Sequence, residues 1–105
     1  LINGVSFSAS SIISTNLHGS KRATFVGEET GGSYNGTVAG IYKSTYLPNS
    51  ELFVPVWMMY IDSPYKQEPF GYGIKPDIEV KPTLEDFLNE KDTVLERALQ
   101  EIEGK

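Results

Sequence analysis

The chain has 105 residues, 39% of them hydrophobic and 22% charged, with a formal net charge of −5. That length suits one domain or part of one, and six Tyr, five Phe and one Trp beside an ordinary apolar content exclude wholesale disorder. The longest apolar run, 54–61, is broken by Pro55 and falls far short of the roughly 20 residues of a membrane-spanning helix. With no cysteine and a single histidine, neither a disulfide framework nor a metal centre is expected, and no cofactor motif is present. Residues 1–50 carry three bases against two acids, and residues 51–105 carry six against twelve. Such an acidic surface disfavours nucleic acid as a partner.

Leu1-Ile2-Asn3-Gly4 reads as the tail of a buried strand running into a glycine turn, so the chain is expected to be a piece of a larger domain. From Ser8 to Leu17, Ile12, Ile13 and Leu17 recur at helical offsets. His18-Gly19 then supplies the expected C-terminal stop. Ala23-Thr24-Phe25-Val26, closed by Gly27, reads as a buried strand. Strand, turn, helix and strand make a βαβ unit with parallel strands.

Residues 28–36 form a loop by composition, with Gly31, Gly32, Asn35 and Gly36 open to unusual backbone geometry. Thr37–Leu47 and Glu51–Tyr60 flank Pro48-Asn49-Ser50 as a β-hairpin, with Pro55 confined to a bulge or an edge. Asp62–Pro69 is a polar connector, and Ile78-Glu79-Val80 a short strand. Thr83 and Asp92 are N-cap candidates for two closing helices. The second of these gathers Val94, Leu95, Ala98, Leu99 and Ile102 on one face, with its acidic side in solvent.

Chemistry concentrates where Ser6, Ser8, Ser10 and Ser11 lie between a strand end and a helix start, because unpaired N–H groups point outward there. A nucleophilic Ser8 would have its oxyanion partly served by the Ala9 N–H, and the loss of one such donor costs about 10²–10³ in rate. From the residues alone, a plain N-cap serine is the competing reading. His18 lies ten residues beyond Ser8, about 15 Å along a helix and too far for proton transfer. It fits a helix C-terminus, where the dipole favours it. Gly31-Gly32 lacks the Gly-Lys-Ser/Thr of a phosphate loop and suits the rim of a peptide-binding or active site. Asp77 reads as a turn cap.

Three ordered segments, Asn3–Ser10, Arg22–Gly32 and Gly73–Val80, resemble the C-terminal half of the catalytic domain of the S41 serine peptidases. These are the C-terminal-processing, or tail-specific, proteases and their tricorn-core relatives. Leu47-Pro48-Asn49-Ser50 and Lys91–Leu95 extend the resemblance toward a bacterial branch. It implies an α/β, crotonase/ClpP-like fold whose C-terminal portion occupies residues 1–105: a βαβ unit, then a hairpin, then helices. It implies Ser8 as nucleophile, Ala9 as oxyanion donor, and a secreted, periplasmic or envelope-associated enzyme that cuts peptide or protein substrates.

The lysine base of the processing branch would fall at Ser33, twenty-five residues beyond Ser8, and a serine cannot replace it. The tricorn-like branch draws a histidine from the N-terminal half of its domain, and its supporting glutamate would fall near Phe70, with Glu68 close by. The fragment is therefore expected to be inactive alone and to self-associate through apolar surface left by the remainder of the domain. The alternative is a non-catalytic peptide-binding module on the same scaffold.

Overall fold

The computed structural model describes residues 1–104. In chain order its elements are α1 (Ser8–Gly19), β1 (Val26–Gly27), β2 (Gly36–Val38), β3 (Tyr42–Tyr46), β4 (Phe53–Trp57), β5 (Tyr60–Asp62), β6 (Ile78–Glu79), α2 (Leu84–Leu88) and α3 (Thr93–Glu103). The chain is thus α/β, with short strands.

In place of a full strand before α1, one parallel bridge is formed. Ile2 bridges Gly27 in parallel, donating to the Val26 carbonyl and accepting from the Glu28 N–H, each at 3.0 Å. β1 in turn pairs in parallel with β6, Val26 opposite Ile78. Gly27, at φ +128°, packs so tightly on the Ile2 backbone that no Cβ would fit. The strand around Phe25 is shorter than the sequence suggests: Ala23 and Thr24 are exposed, and pairing begins at Val26. Its entry is fixed by a side chain, since the Phe25 N–H donates to Asp77 Oδ2 at 2.6 Å. Asp77 therefore clamps β1 to the approach to β6 across 52 residues, rather than capping its own turn. Ile2, Phe25, Tyr34 and Ile74 form the core, with Tyr65 packed against it.

α1 has the expected extent but not the expected inner face. Ser11 and Thr15 are buried while Ile13 is 60% exposed, so the aliphatic stripe faces out. The buried side is polar because Thr15 Oγ1 donates to the Tyr34 carbonyl at 3.2 Å and Ser11 fits under Gly32. Gly19 is not the left-handed stop either. Lys21 takes that conformation at φ +55°, with the Arg22 N–H on the Leu17 carbonyl. Gly19 instead makes room for the Tyr65 ring, whose Cδ1 would lie 2.5 Å from an added Cβ.

The hairpin is a two-part ribbon. β3 pairs antiparallel with β4, Ser44 opposite Pro55, and β2 with β5, Thr37 opposite Ile61. Between them the pairing slips at Gly40, φ +74°. In a two-stranded ribbon Pro55 is on an edge by construction, which removes its conflict with a strand. The ribbon stands away from the core and gives a radius of gyration of 17.7 Å, where a compact chain of 100 residues has about 13 Å.

Both closing helices start at the expected caps. Thr83 and Asp86 form a reciprocal capping box on α2, and Asp92 accepts from the Leu95 N–H on α3. α3 lies beside β1, leaving a groove lined by Leu1, Val26, Leu95, Leu99 and Ile102. Among the described residues, no helix is long and apolar enough to cross a membrane.

Candidate active site

The turn ahead of α1 is locked by its own polar groups. The Val5 N–H donates to Asn3 Oδ1 at 3.1 Å, the Ser6 N–H to the Asn3 carbonyl at 2.9 Å, and the Asn3 N–H to Ser6 Oγ at 3.2 Å. Phe7 then runs extended, at φ −121° and ψ 169°, in the N-cap position and makes no side-chain cap. No serine caps this helix, so Ser8 is not the plain N-cap of the competing reading.

Ser8 instead stands at φ +51°, in the left-handed region. Such a backbone costs a serine on the order of 1–3 kcal/mol and persists only where its surroundings impose it. Lys21, Glu51 and Glu90 share that sign but lie in turns after helices or within the hairpin loop, whereas Ser8 opens a helix. The reversal presents the Ser8 side chain in solvent at a strand-to-helix corner.

The Gly31-Gly32 loop packs against the residues on either side of Ser8. The Gly32 N–H donates to the Ser6 carbonyl at 3.0 Å. A Cβ on Gly31 would lie 2.5 Å from Phe7 Cζ, and one on Gly32 would lie 2.7 Å from Ser11 Cβ. Only hydrogen fits at either position. Thr30 anchors the loop to the core: its N–H donates to the Ile74 carbonyl at 3.0 Å, and its Oγ1 accepts from the Ile74 N–H at 2.8 Å and donates to the Gly32 carbonyl at 2.9 Å. Glu29 adds a bond from the Gly73 N–H at 2.9 Å. The three segments singled out in the sequence are therefore interleaved, with the Gly73–Asp77 segment holding the glycine loop that holds the Ser8 corner.

Asn35, expected only as a loop residue of permissive backbone, extends the frame through its side chain. Buried, it donates from Nδ2 to the Gln67 carbonyl and accepts at Oδ1 from the Gln67 N–H, both at 2.9 Å. Gln67 Nε2 then reaches the Gly73 carbonyl at 2.8 Å.

The Ser10 and Ser11 N–H groups turn back to the Phe7 carbonyl, at 3.1 and 3.5 Å. The Ala9 N–H meets no acceptor among the described residues, and no acid stands in the first turn to neutralise the positive helix end. Ser8 and Ala9 thus come together as a hydroxyl beside an available donor. That pairing can receive the charge of a tetrahedral oxyanion.

The other two candidate residues, Ser33 and Glu68, make no hydrogen bond to Ser8 or Ala9 among the described residues. Ser33 Oγ accepts from the Asn35 N–H at 3.3 Å and closes its own turn. Glu68 lines a cleft of about 400 Å³ with His18, Gln67, Tyr72 and Lys75, near the C-terminal end of α1, where His18 lies about 15 Å along the helix from Ser8. His18 is held in place there, with Nδ1 3.1 Å from the Tyr34 hydroxyl and its ring against Phe25 and Tyr34. Burial, with Tyr65 nearby, pushes the Tyr34 phenol above its ordinary value, so Tyr34 stays protonated beside the imidazole. No side-chain base among the described residues is hydrogen-bonded to Ser8 Oγ.

The corner thus holds an exposed serine in a left-handed conformation, a close-packed glycine loop beside it and a backbone N–H without an acceptor among the described residues. The sequence profile of peptidase family S41 matches residues 1–80, and the chain belongs to that family. A comparison with curated proteins finds no match.

Proposed function

We propose that Ser8 is the nucleophile of a serine-type peptidase and the Ala9 N–H one of its oxyanion donors, within the C-terminal portion of a crotonase/ClpP-like catalytic domain. The observation that carries this is the left-handed Ser8 at the head of α1. A strained, exposed serine there has no capping role to explain it.

The reaction is acyl transfer. Ser8 Oγ attacks a peptide carbonyl, its proton passes to a base, and the oxyanion settles on the Ala9 N–H and the helix terminus. The amine then leaves with that proton, and water releases the acyl group by the same route. The base comes from residues outside these 105, so the chain alone is inactive. The enzyme works outside the cytoplasm or at the cell envelope on peptide or protein substrates, without metal or organic cofactor.

Peptide hydrolysis by the full-length polypeptide tests this. Ser8→Ala should lower kcat by a factor on the order of 10⁴ or more, and retained hydrolysis would exclude Ser8. A non-catalytic peptide-binding module is the second reading, favoured by the absence of a base on Ser8 Oγ among the described residues. Peptide binding without turnover, in a full-length polypeptide offering no histidine or lysine near Ser8, would select it.

A further inference from the structure

We propose that Asn3-Gly4 is a site of spontaneous deamidation, whose product rebuilds the turn leading into Ser8. In this chemistry a backbone nitrogen attacks the side-chain amide carbon of the preceding asparagine, ammonia leaves, and water reopens the cyclic imide to isoaspartate or aspartate. A Cβ on the second residue hinders the attack, so Asn-Gly is the reactive pair. Of the asparagines in the chain, Asn3 and Asn35 precede glycine.

The structure treats the two oppositely. Asn35 is buried, and Gln67 holds both ends of its amide at 2.9 Å. Gly36 is in turn paired with Asp62 between β2 and β5. The Asn35 amide cannot turn onto the Gly36 nitrogen until this region opens. Asn3, Gly4 and Val5 are exposed, and the Gly4 N–H has no acceptor among the described residues. Asn3 Oδ1 accepts from the Val5 N–H at 3.1 Å, and the ring closed by that bond contains both reacting atoms, Asn3 Cγ and the Gly4 nitrogen. The same N–H supports the charge that builds on Oδ1 as the nitrogen adds. Open space around Gly4 leaves room for the ring to close.

The Gly4 nitrogen loses its proton to solvent as it bonds to Asn3 Cγ, and the Cγ–Nδ2 bond then breaks with release of ammonia. Water adds mainly at the former main-chain carbonyl and cleaves its bond to the Gly4 nitrogen. The chain now runs through Cβ and Cγ, one carbon longer, with a free carboxylate beside it. That product does not fit the turn. Ile2 is fixed to Val26 and Glu28 on one side, and Ser6 to Gly32 on the other, so the added carbon has no slack to occupy. The Asn3 carbonyl that accepts from the Ser6 N–H leaves the main chain. The new carboxylate also enters a cleft that Asn3 shares with Glu28 and Asp92, where like charge repels it.

Peptide mapping of the full-length polypeptide, incubated at mildly alkaline pH and read by mass spectrometry that separates isoaspartate from aspartate, tests this without reference to Ser8. Asn3 should convert with isoaspartate in excess, and Asn35 should convert roughly tenfold more slowly or less, because two hydrogen bonds must break first. In urea the two should convert at similar rates. Gly4→Ala should suppress conversion at Asn3 and leave Asn35 unchanged. Hydrogen exchange at the Ser6 and Gly32 amides should quicken in the isoaspartate form. An Asn3 that stays intact in the native chain while converting in urea, an Asn35 that converts first, a Gly4→Ala variant that converts as fast, or unchanged exchange at Ser6 and Gly32 would each overturn the proposal.

Discussion

Gly32 and Ser11 lie so close that a Cβ on the glycine would stand 2.7 Å from the Cβ of the serine, while the Ser11 hydroxyl is buried without a hydrogen-bond partner. The contact locks the glycine loop to α1 one turn beyond Ser8. Gly32→Ala should therefore cost roughly 1–3 kcal/mol by overpacking, read by urea denaturation. Gly4→Ala should be neutral, since open space surrounds Gly4 and its φ is not left-handed. Ser11→Ala should be neutral or stabilising because it removes an unpaired buried hydroxyl.

Ser8 itself offers a stability test separate from activity. A left-handed residue loses its strain when Cβ is removed, so Ser8→Gly should be more stable than Ser8→Ala by about 1 kcal/mol. Equal stabilities in thermal denaturation would mean that Ser8 does not hold its left-handed conformation in solution.

Much of the fold was legible because local chemistry and tertiary structure agree. Thr83 and Asp92 cap their helices by bonds within four residues, and the parallel pairing on either side of α1 follows from apolar runs around one helical period. The face of α1 was not legible. Ile13 and Leu17 suggest an aliphatic inner side, but the tight approach of Gly32 and Tyr34 admits only Ser11 and Thr15. The resemblance over Asn3–Ser10 pointed to Ser8 as the proposed nucleophile but said nothing of its backbone, which is left-handed. The residues flanking it, Ser6, Phe7 and Ser11, pack on Gly31 and Gly32, more than twenty residues away in sequence. Asp77 was misread for the same reason, its partner lying 52 residues distant.

Asn35 is expected to be the costliest polar residue to remove. Asn35→Ala would orphan both the N–H and the carbonyl of Gln67, a loss of roughly 2–4 kcal/mol. Asn35→Asp should not rescue it, since a carboxylate restores the bond from the Gln67 N–H but faces the Gln67 carbonyl with a second acceptor. Chemical denaturation of both variants checks this.

Acid should loosen α2 at its cap. Hydrogen bonds from the Thr83 hydroxyl and N–H, with Lys91 adding to them, hold the Asp86 carboxyl below its ordinary value. A depressed folded pKa contributes stability that is complete above the unfolded value of about 3.9 and is lost as pH falls through the folded one. The Thr83 amide proton should therefore shift upfield in an acid titration monitored by NMR, with its midpoint below that of a free aspartate. Asp86→Asn should abolish the titration.

The claim that Ser8 is the reactive serine is tested most directly by a covalent serine-hydrolase probe followed by peptide mass spectrometry on the full-length polypeptide. The adduct should fall on Ser8, disappear in Ser8→Ala, persist in His18→Gln, and be absent from the isolated 105-residue chain. An adduct on Ser6 or Ser10, or labelling that survives Ser8→Ala undiminished, would contradict the account.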